Sequence, residues 1–235
     1  MGRIFEKRKH KMFARFDRMA KAFTRIGKEI AIAVKQGGPL PENNPRLRLA
    51  IQNAKGANMP KDRVEAAIKR ASSKEEKDFE EVTYEGYAPH GVPVLVECAT
   101  DNPTRTVANV RLHFSKNGGN MGNSGSVSFM FERKGVFKFA TEDINLDELE
   151  LDLIDAGAED IEREEEEIVV YTKFADFGNM QKFLESKEVN TKSSELQYIP
   201  TVTKELNEAE LDEVMECITA LEEDDDVQNV YHNLA

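Results

Sequence analysis

Between Glu6 and Gln36 the apolar residues Met12, Phe16, Met19, Phe23, Ile26, Ile30 and Val34 return at steps of four and three. That spacing predicts one long amphipathic helix with a narrow apolar stripe, ended by Gly37-Gly38-Pro39. Asn44-Pro45 predicts a second helix, an N-cap followed by Pro at the first helical position, with Leu47, Ala50, Ile51 and Ala54 inward and Gly56 and Asn58 closing it. Pro60 opens a third, whose inward positions are Val64, Ala67, Ile68 and Ala71. From Ser72 to Glu80 there is no periodicity, and the segment reads as a linker.

Beyond the linker the pattern becomes strands alternating with short helices. EEVTYEGYAPHGVPVLVECAT reads as two strands about a Pro/Gly turn. Thr104 to Lys116 reads as a helix with Val107, Val110 and Phe114 inward and Asn117-Gly118 as its stop. SVSFMFERKGVFKFA predicts two strands about Lys134-Gly135. A helix from Leu146 to Ala156, a strand ending IVVYT, a helix from Phe177 to Ser186 and a strand about Leu196 to Ile199 follow, then a helix from Glu208 to Leu221 and a strand from Val227 to His232. The order from Val136 to Ile199 is close to the βαββαβ of a ferredoxin-like unit. The incomplete sets of elements on either side make sense if they join each other, with one small α/β domain inserted into another. The fold class expected is therefore α+β multidomain: a basic helical domain over 1–78, a discontinuous α/β domain over 79–133 and 201–235, and an inserted ferredoxin-like domain over 134–200.

Charge changes the picture. Up to Asp78 the chain carries 20 Lys+Arg against 9 Asp+Glu, a net of +11; the remainder carries 12 against 35, a net of −23. The overall −12 hides a basic module, and such a module points to a polyanionic partner, because Lys and Arg gain affinity by releasing counterions condensed on phosphates. On the first helix Lys7, Lys11, Arg15, Arg18, Lys21, Arg25, Lys28 and Lys35 fall on one side. Ordinary solvated faces interleave both signs, whereas only Asp17 and Glu29 interrupt this one. Lys9, and on the other two helices Arg46, Arg48, Lys55, Lys61, Arg63, Lys69 and Arg70, complete the candidate nucleic-acid-binding set.

Other chemistry is sparse. The two cysteines, Cys98 and Cys217, are far apart and have no metal-ligand spacing; the four histidines are scattered. No metal and no cofactor are expected, and nothing places a nucleophile beside a base. Neither a signal peptide nor a membrane span is legible, so the expected setting is the cytoplasm. The acidic run Glu159 to Glu167 and the cluster Glu222 to Asp226 read as solvated edges. FSKNGGNMGNSGSVSFMF places Gly118, Gly119, Gly122 and Gly125 between a helix and a strand. Such a stretch, with Asn117 and Asn120, is either a close-approach contact loop or a flexible connector; it has neither the Gly-Lys-Ser/Thr of a P-loop nor a dinucleotide-binding context.

NPRLRLAIQNAKGANMPKDRVEAAIKRA, YEGYAPHGVPVLVECATDNPTRT and FSKNGGNMGNSGSVSFMFERKG closely resemble the YebC family, which includes the mitochondrial translational activator of cytochrome c oxidase. The resemblance runs from about Lys9 to the C-terminus. It implies the same three-part fold and a non-enzymatic regulator, described in bacteria as a DNA-binding transcriptional regulator and elsewhere as a ribosome-associated activator of translation. Two departures stand out: MGRIFEKR replaces the family's Gly-His-Ser-Lys-Trp opening, and Ala88-Pro89-His90-Gly91 stands where the family has Gly-Pro-Gly-Gly. The expected partner is nucleic acid, promoter DNA or ribosomal RNA on the ribosome, with no membrane and no small-molecule substrate. A rival expectation is an enzyme whose site lies in the cleft between the two α/β domains.

Overall fold

The computed structural model describes residues 3–73, 78–141, 145–163 and 166–235, with side chains for all of these except residues 3–18 and residue 147. The chain divides into two compact units, Met1–Asp78 and Phe79–Ala235.

The first unit is helical. Helix α1 (Arg3–Gly37) ends where expected, and Gly38, at φ 86°, donates its N–H to the Val34 carbonyl. Helix α2 (Pro45–Gly56) begins behind the N-cap Asn44. Asn58, at φ 57°, closes it in the left-handed conformation, with the Met59 N–H reaching back to the Ala54 carbonyl. Helix α3 (Lys61–Ala71) follows after four residues. The stripe read from sequence is narrow only in part: Ile30 to Val34 are all buried, so α1 is covered all round over that stretch, before its exposed last residues Lys35 to Gly37.

The second unit holds two four-stranded antiparallel sheets. The first comprises β1 (Glu80–Ala88), β2 (Val92–Thr100), β3 (Asn120–Met121) and β8 (Val227–His232) in the order β3-β1-β2-β8. Helices α4 (Pro103–Lys116) and α7 (Glu208–Glu222) pack on it, burying Val94, Val96 and Cys98 against Val110, Phe114, Val214, Cys217, Ile218 and Leu221. Burial of each large apolar side chain stabilises by roughly 1.5–3 kcal/mol. Leu95 points the other way into a second cluster, so β2 is buried on both faces and reads as an almost unbroken apolar run.

Inserted between β3 and α7 is the second sheet, formed by β4 (Phe131–Ala140), β5 (Ala158–Arg163), β6 (Glu167–Lys173) and β7 (Thr191–Pro200) with helices α5 (Leu146–Asp155) and α6 (Phe177–Ser186). Its order, β5-β6-β4-β7 with every neighbour antiparallel, is that of a ferredoxin-like unit. Phe137, Phe139, Ile168 and Val170 face Leu153, Met180 and Leu184 across its core.

Two sequence readings need correction. Lys134-Gly135 is not a turn: β4 runs straight through it, paired on both sides. Gly135 is there for space, since a Cβ would lie 2.4 Å from the Thr172 hydroxyl and 2.7 Å from the Phe177 ring. The last strand of the insert is also longer than Leu196 to Ile199, because Thr191 to Glu195 pair with β4 despite their polar sequence.

Candidate nucleic-acid interface

Asn44 fixes the first unit. It is 3% exposed; its amide donates to the Ala33 and Gly38 carbonyls at 2.7 and 2.9 Å, and its carbonyl oxygen accepts from the Leu47 N–H at 3.0 Å. One side chain therefore satisfies the end of α1 and the start of α2.

The cations then separate by role. Arg46 makes a two-pronged pair with Glu29, 2.8 and 3.1 Å, and also donates to Gln36, so it clamps α2 to α1. Arg48 donates to the Pro41 and Glu42 carbonyls of the short 3-10 turn before α2. Arg63 lies over the Phe23 ring at 5.7 Å, and Lys61 faces Glu65 at 3.6 Å. Lys21, Arg25 and Lys28 are half-buried, Lys55 is exposed, and all four have partners. Lys69 and Arg70 are exposed in the last turn of α3. Lys7, Lys9, Lys11, Arg15 and Arg18 lie outside the residues whose side chains are described. Among the described residues, the candidate cations that stand exposed are Lys61, Arg63, Lys69 and Arg70 on α3, with Arg48 and Lys55 on α2.

The glycine stretch is neither free nor a uniform loop. Asn120 and Met121 pair with Tyr87 and Gly86 as strand β3. Gly119 sits so close to β1 that a Cβ would lie 2.6 Å from the Tyr87 carbonyl oxygen. Past β3 the backbone wraps around Glu85, a carboxylate 6% exposed that accepts from the N–H groups of Gly125 (2.7 Å), Val127 (2.7 Å) and Ser128 (2.9 Å). Burial alone would raise the Glu85 carboxyl, but these donors outweigh it and hold it below the usual carboxylate range. Tyr87 adds a hydroxyl bond to the Ser126 carbonyl. The tip, Asn123 to Gly125, is exposed.

At the neighbouring turn His90 takes φ 59°, a conformation suited to glycine, and its ring contacts Glu213 at 2.8 Å and Glu210 at 3.8 Å on α7. Lys204 donates its ammonium to the His90 carbonyl. A hollow of about 460 Å³ beside them is lined by Pro89, His90, Asn117, Gly118, Glu213 and Glu216. At the start of α4, Asp226 accepts from Arg105 (2.6 Å) and Thr106 (2.8 Å), tying the turn before β8 to that helix. The junction of the two sheets, where the rival enzyme reading puts its cleft, holds Leu95, Val127 and Phe131 packed with Tyr87, Met130, Tyr198 and Tyr231. Among the described residues no group of three or more His, Cys, Asp or Glu is disposed to hold a metal ion, and no helix is long and apolar enough to cross a membrane.

Residues 3–74 match the family model for the TACO1/YebC protein N-terminal domain, and residues 79–234 match the model for the TACO1/YebC second and third domain. The chain belongs to the TACO1/YebC family. It is 58% identical over 240 residues to a "probable transcriptional regulatory protein" of Anaeromyxobacter dehalogenans and 55% identical to one of Myxococcus xanthus, in both cases over the whole of both chains. A crystal structure of a conserved hypothetical protein from Aquifex aeolicus superposes with a TM-score of 0.82 at 42% identity, covering 92% of this chain and 90% of that one. In this TACO1/YebC chain, Glu85 is the residue that the sequence reading missed. An acid set between Tyr84 and Tyr87 in the middle of β1 is the available signal, but its partners lie 40 to 43 residues away.

Proposed function

We propose that this chain is a non-enzymatic, nucleic-acid-binding regulator of gene expression whose helical unit engages phosphate. The observation that carries the reading is the charge division: +11 up to Asp78 against −23 beyond it, with Arg48, Lys55, Lys61, Arg63, Lys69 and Arg70 exposed on α2 and α3, where the acidic residues are Asp62 and Glu65. The contact set is the one predicted from sequence, less Arg46, whose guanidinium is committed to Glu29. The working domains are 1–78, 79–133 with 201–235, and 134–200, in a cytoplasmic protein.

RNA of the ribosome is the preferred target, with activation of translation as the outcome. A net charge of −23 repels bare duplex, but ribosomal proteins offer a basic counterpart to it, and RNA is recognised largely through shape and backbone. The loop tip Asn123 to Gly125, held by Glu85, is the second contact assigned to that surface. The names of the relatives favour a second reading, promoter DNA, and the four-residue connection between α2 and α3 has the length of a helix-turn-helix turn. Crosslinking in cells followed by sequencing separates the two. Enrichment of ribosomal RNA positions is expected; enrichment of defined promoters without ribosomal RNA supports the second reading, and enrichment of neither overturns both.

A further inference from the structure

At the end of the inserted sheet three side chains from adjacent strands form a row. Arg133 on β4 has Tyr198 of β7 as its register partner, and Phe174 follows directly after β6. The guanidinium carbon of Arg133 lies 5.2 Å from the Phe174 ring centroid and 5.9 Å from that of Tyr198. Tyr198 in turn meets Tyr231 of β8 edge-on at 5.5 Å.

Two features set this row apart from its surroundings. On the other face of the sheet cations meet carboxylates: Lys134 and Lys173 face Glu159, and, toward the far end of β4, Lys138 and Lys192 face Glu167. Arg133 is exposed and, among the described residues, has no ion pair and no side-chain hydrogen bond. Rings on two sides hold the guanidinium in place, while its five N–H donors are left to be satisfied from outside. Phe174 is 54% exposed, so an aromatic face stands open beside that fork.

We propose that this row binds an unpaired nucleotide of RNA, the base stacking on Phe174 and the Arg133 fork donating to its phosphate or base edge. An aromatic face and a guanidinium side by side match the two halves of a nucleotide, a π-surface with anionic acceptors attached. A duplex offers the acceptors but keeps its bases stacked on each other. Arg133 is the one cation in the row, so general electrostatic attraction there is small, and this contact is led by stacking and selects single strands. The inference rests on the nucleic-acid reading above and adds a second contact, on the acidic unit, to that of the helices.

The test uses the full chain and a single-stranded 2-aminopurine-labelled RNA of about a dozen nucleotides, a length that suits single-strand sites, with a duplex of the same length as control. The unaltered chain quenches the probe on binding. Phe174→Leu keeps bulk but removes the ring; it abolishes the quench and weakens single-strand binding by about 5- to 150-fold, the range of one stacked base. Arg133→Lys, at an exposed position that leaves the fold intact, keeps the charge but loses the planar fork, and weakens binding several-fold. Neither change alters duplex binding. Single-strand binding and quenching unchanged in both variants would overturn the proposal and leave the helical reading standing. If the unaltered chain bound neither form, the nucleic-acid reading would fall first.

Discussion

Glu85 shows how much a single side chain organises here. Its carboxylate takes the N–H groups of Gly125, Val127 and Ser128, three donors that nothing else at that turn would satisfy. Bonds to a charged acceptor are worth about 1.5–3 kcal/mol each, and an orphaned buried donor costs about 1–3 kcal/mol. Glu85→Ala is therefore expected to destabilise the second unit by at least about 2 kcal/mol, read from urea unfolding, and to loosen the tip at Asn123 to Gly125. Because this carboxyl is held below its ordinary value, its contribution is complete above about pH 4.3, the unperturbed value, and is lost as pH falls through the lower folded value. His232 acts at higher pH. Burial pushes its imidazole down, against an opposing pull from Glu222, and its Nδ1 accepts from the Leu234 N–H. The unfolded chain then binds a proton that the folded one refuses, so stability declines as pH drops below about 6.5. The thermal midpoint should fall between pH 7.5 and 5.5, and less so in His232→Gln. An equal fall in both would remove His232 from the account. The thiol of Cys217, pushed up to about 11 by burial in the core, should resist alkylation in the native state at pH 8.

At the scale of elements, legibility followed the range of the interactions. The helices were readable because their signals are local: steps of three and four, Asn44 before Pro45, glycine after α1. The β1–β2 hairpin, α6 and β8 were readable for the same reason, each carrying its own pattern and punctuation. Gly135 was misread because a glycine chosen for close approach looks, in one dimension, like a glycine chosen for a turn. The two are separable by mutation. Gly135→Ala is expected to cost about 1–3 kcal/mol through overpacking against Thr172 and Phe177, whereas a solvent-exposed turn at φ < 0 would accept alanine freely. The same geometry bears on the glycine stretch. Gly119→Val should unfold the first sheet's edge rather than silence a contact, since its Cβ meets the Tyr87 carbonyl. A functional probe of this loop belongs at exposed Asn123 or Ser124 instead. Sequence groups Arg46 with the phosphate-facing cations because it shows charge and not distance; Glu29, 17 residues earlier, claims it. Arg46→Ala should lower the thermal midpoint and change nucleic-acid affinity little at a temperature where the variant is folded.

At the scale of the molecule, two units of opposite charge share one chain, and the account assigns them different work. In the proposed reading the helical unit supplies non-specific attraction to phosphate, steep in salt, and the α/β unit supplies a Glu85-held loop and an aromatic–guanidinium row that act at short range. The family match covers both units, so this division concerns the whole chain. Its central claim is that exposed cations of α3 carry the affinity. The direct measurement is RNA binding by the full chain across a salt series, before and after reversal of Lys61, Lys69 and Arg70 to glutamate, with helicity checked by circular dichroism. For the unaltered chain log K should fall linearly with log salt, by roughly 0.7 per phosphate neutralised on a single strand. Reversal should weaken binding by at least about tenfold near 0.1 M salt and flatten the slope by about two or more. A reversed protein that stays folded and keeps both the affinity and the slope would contradict the account.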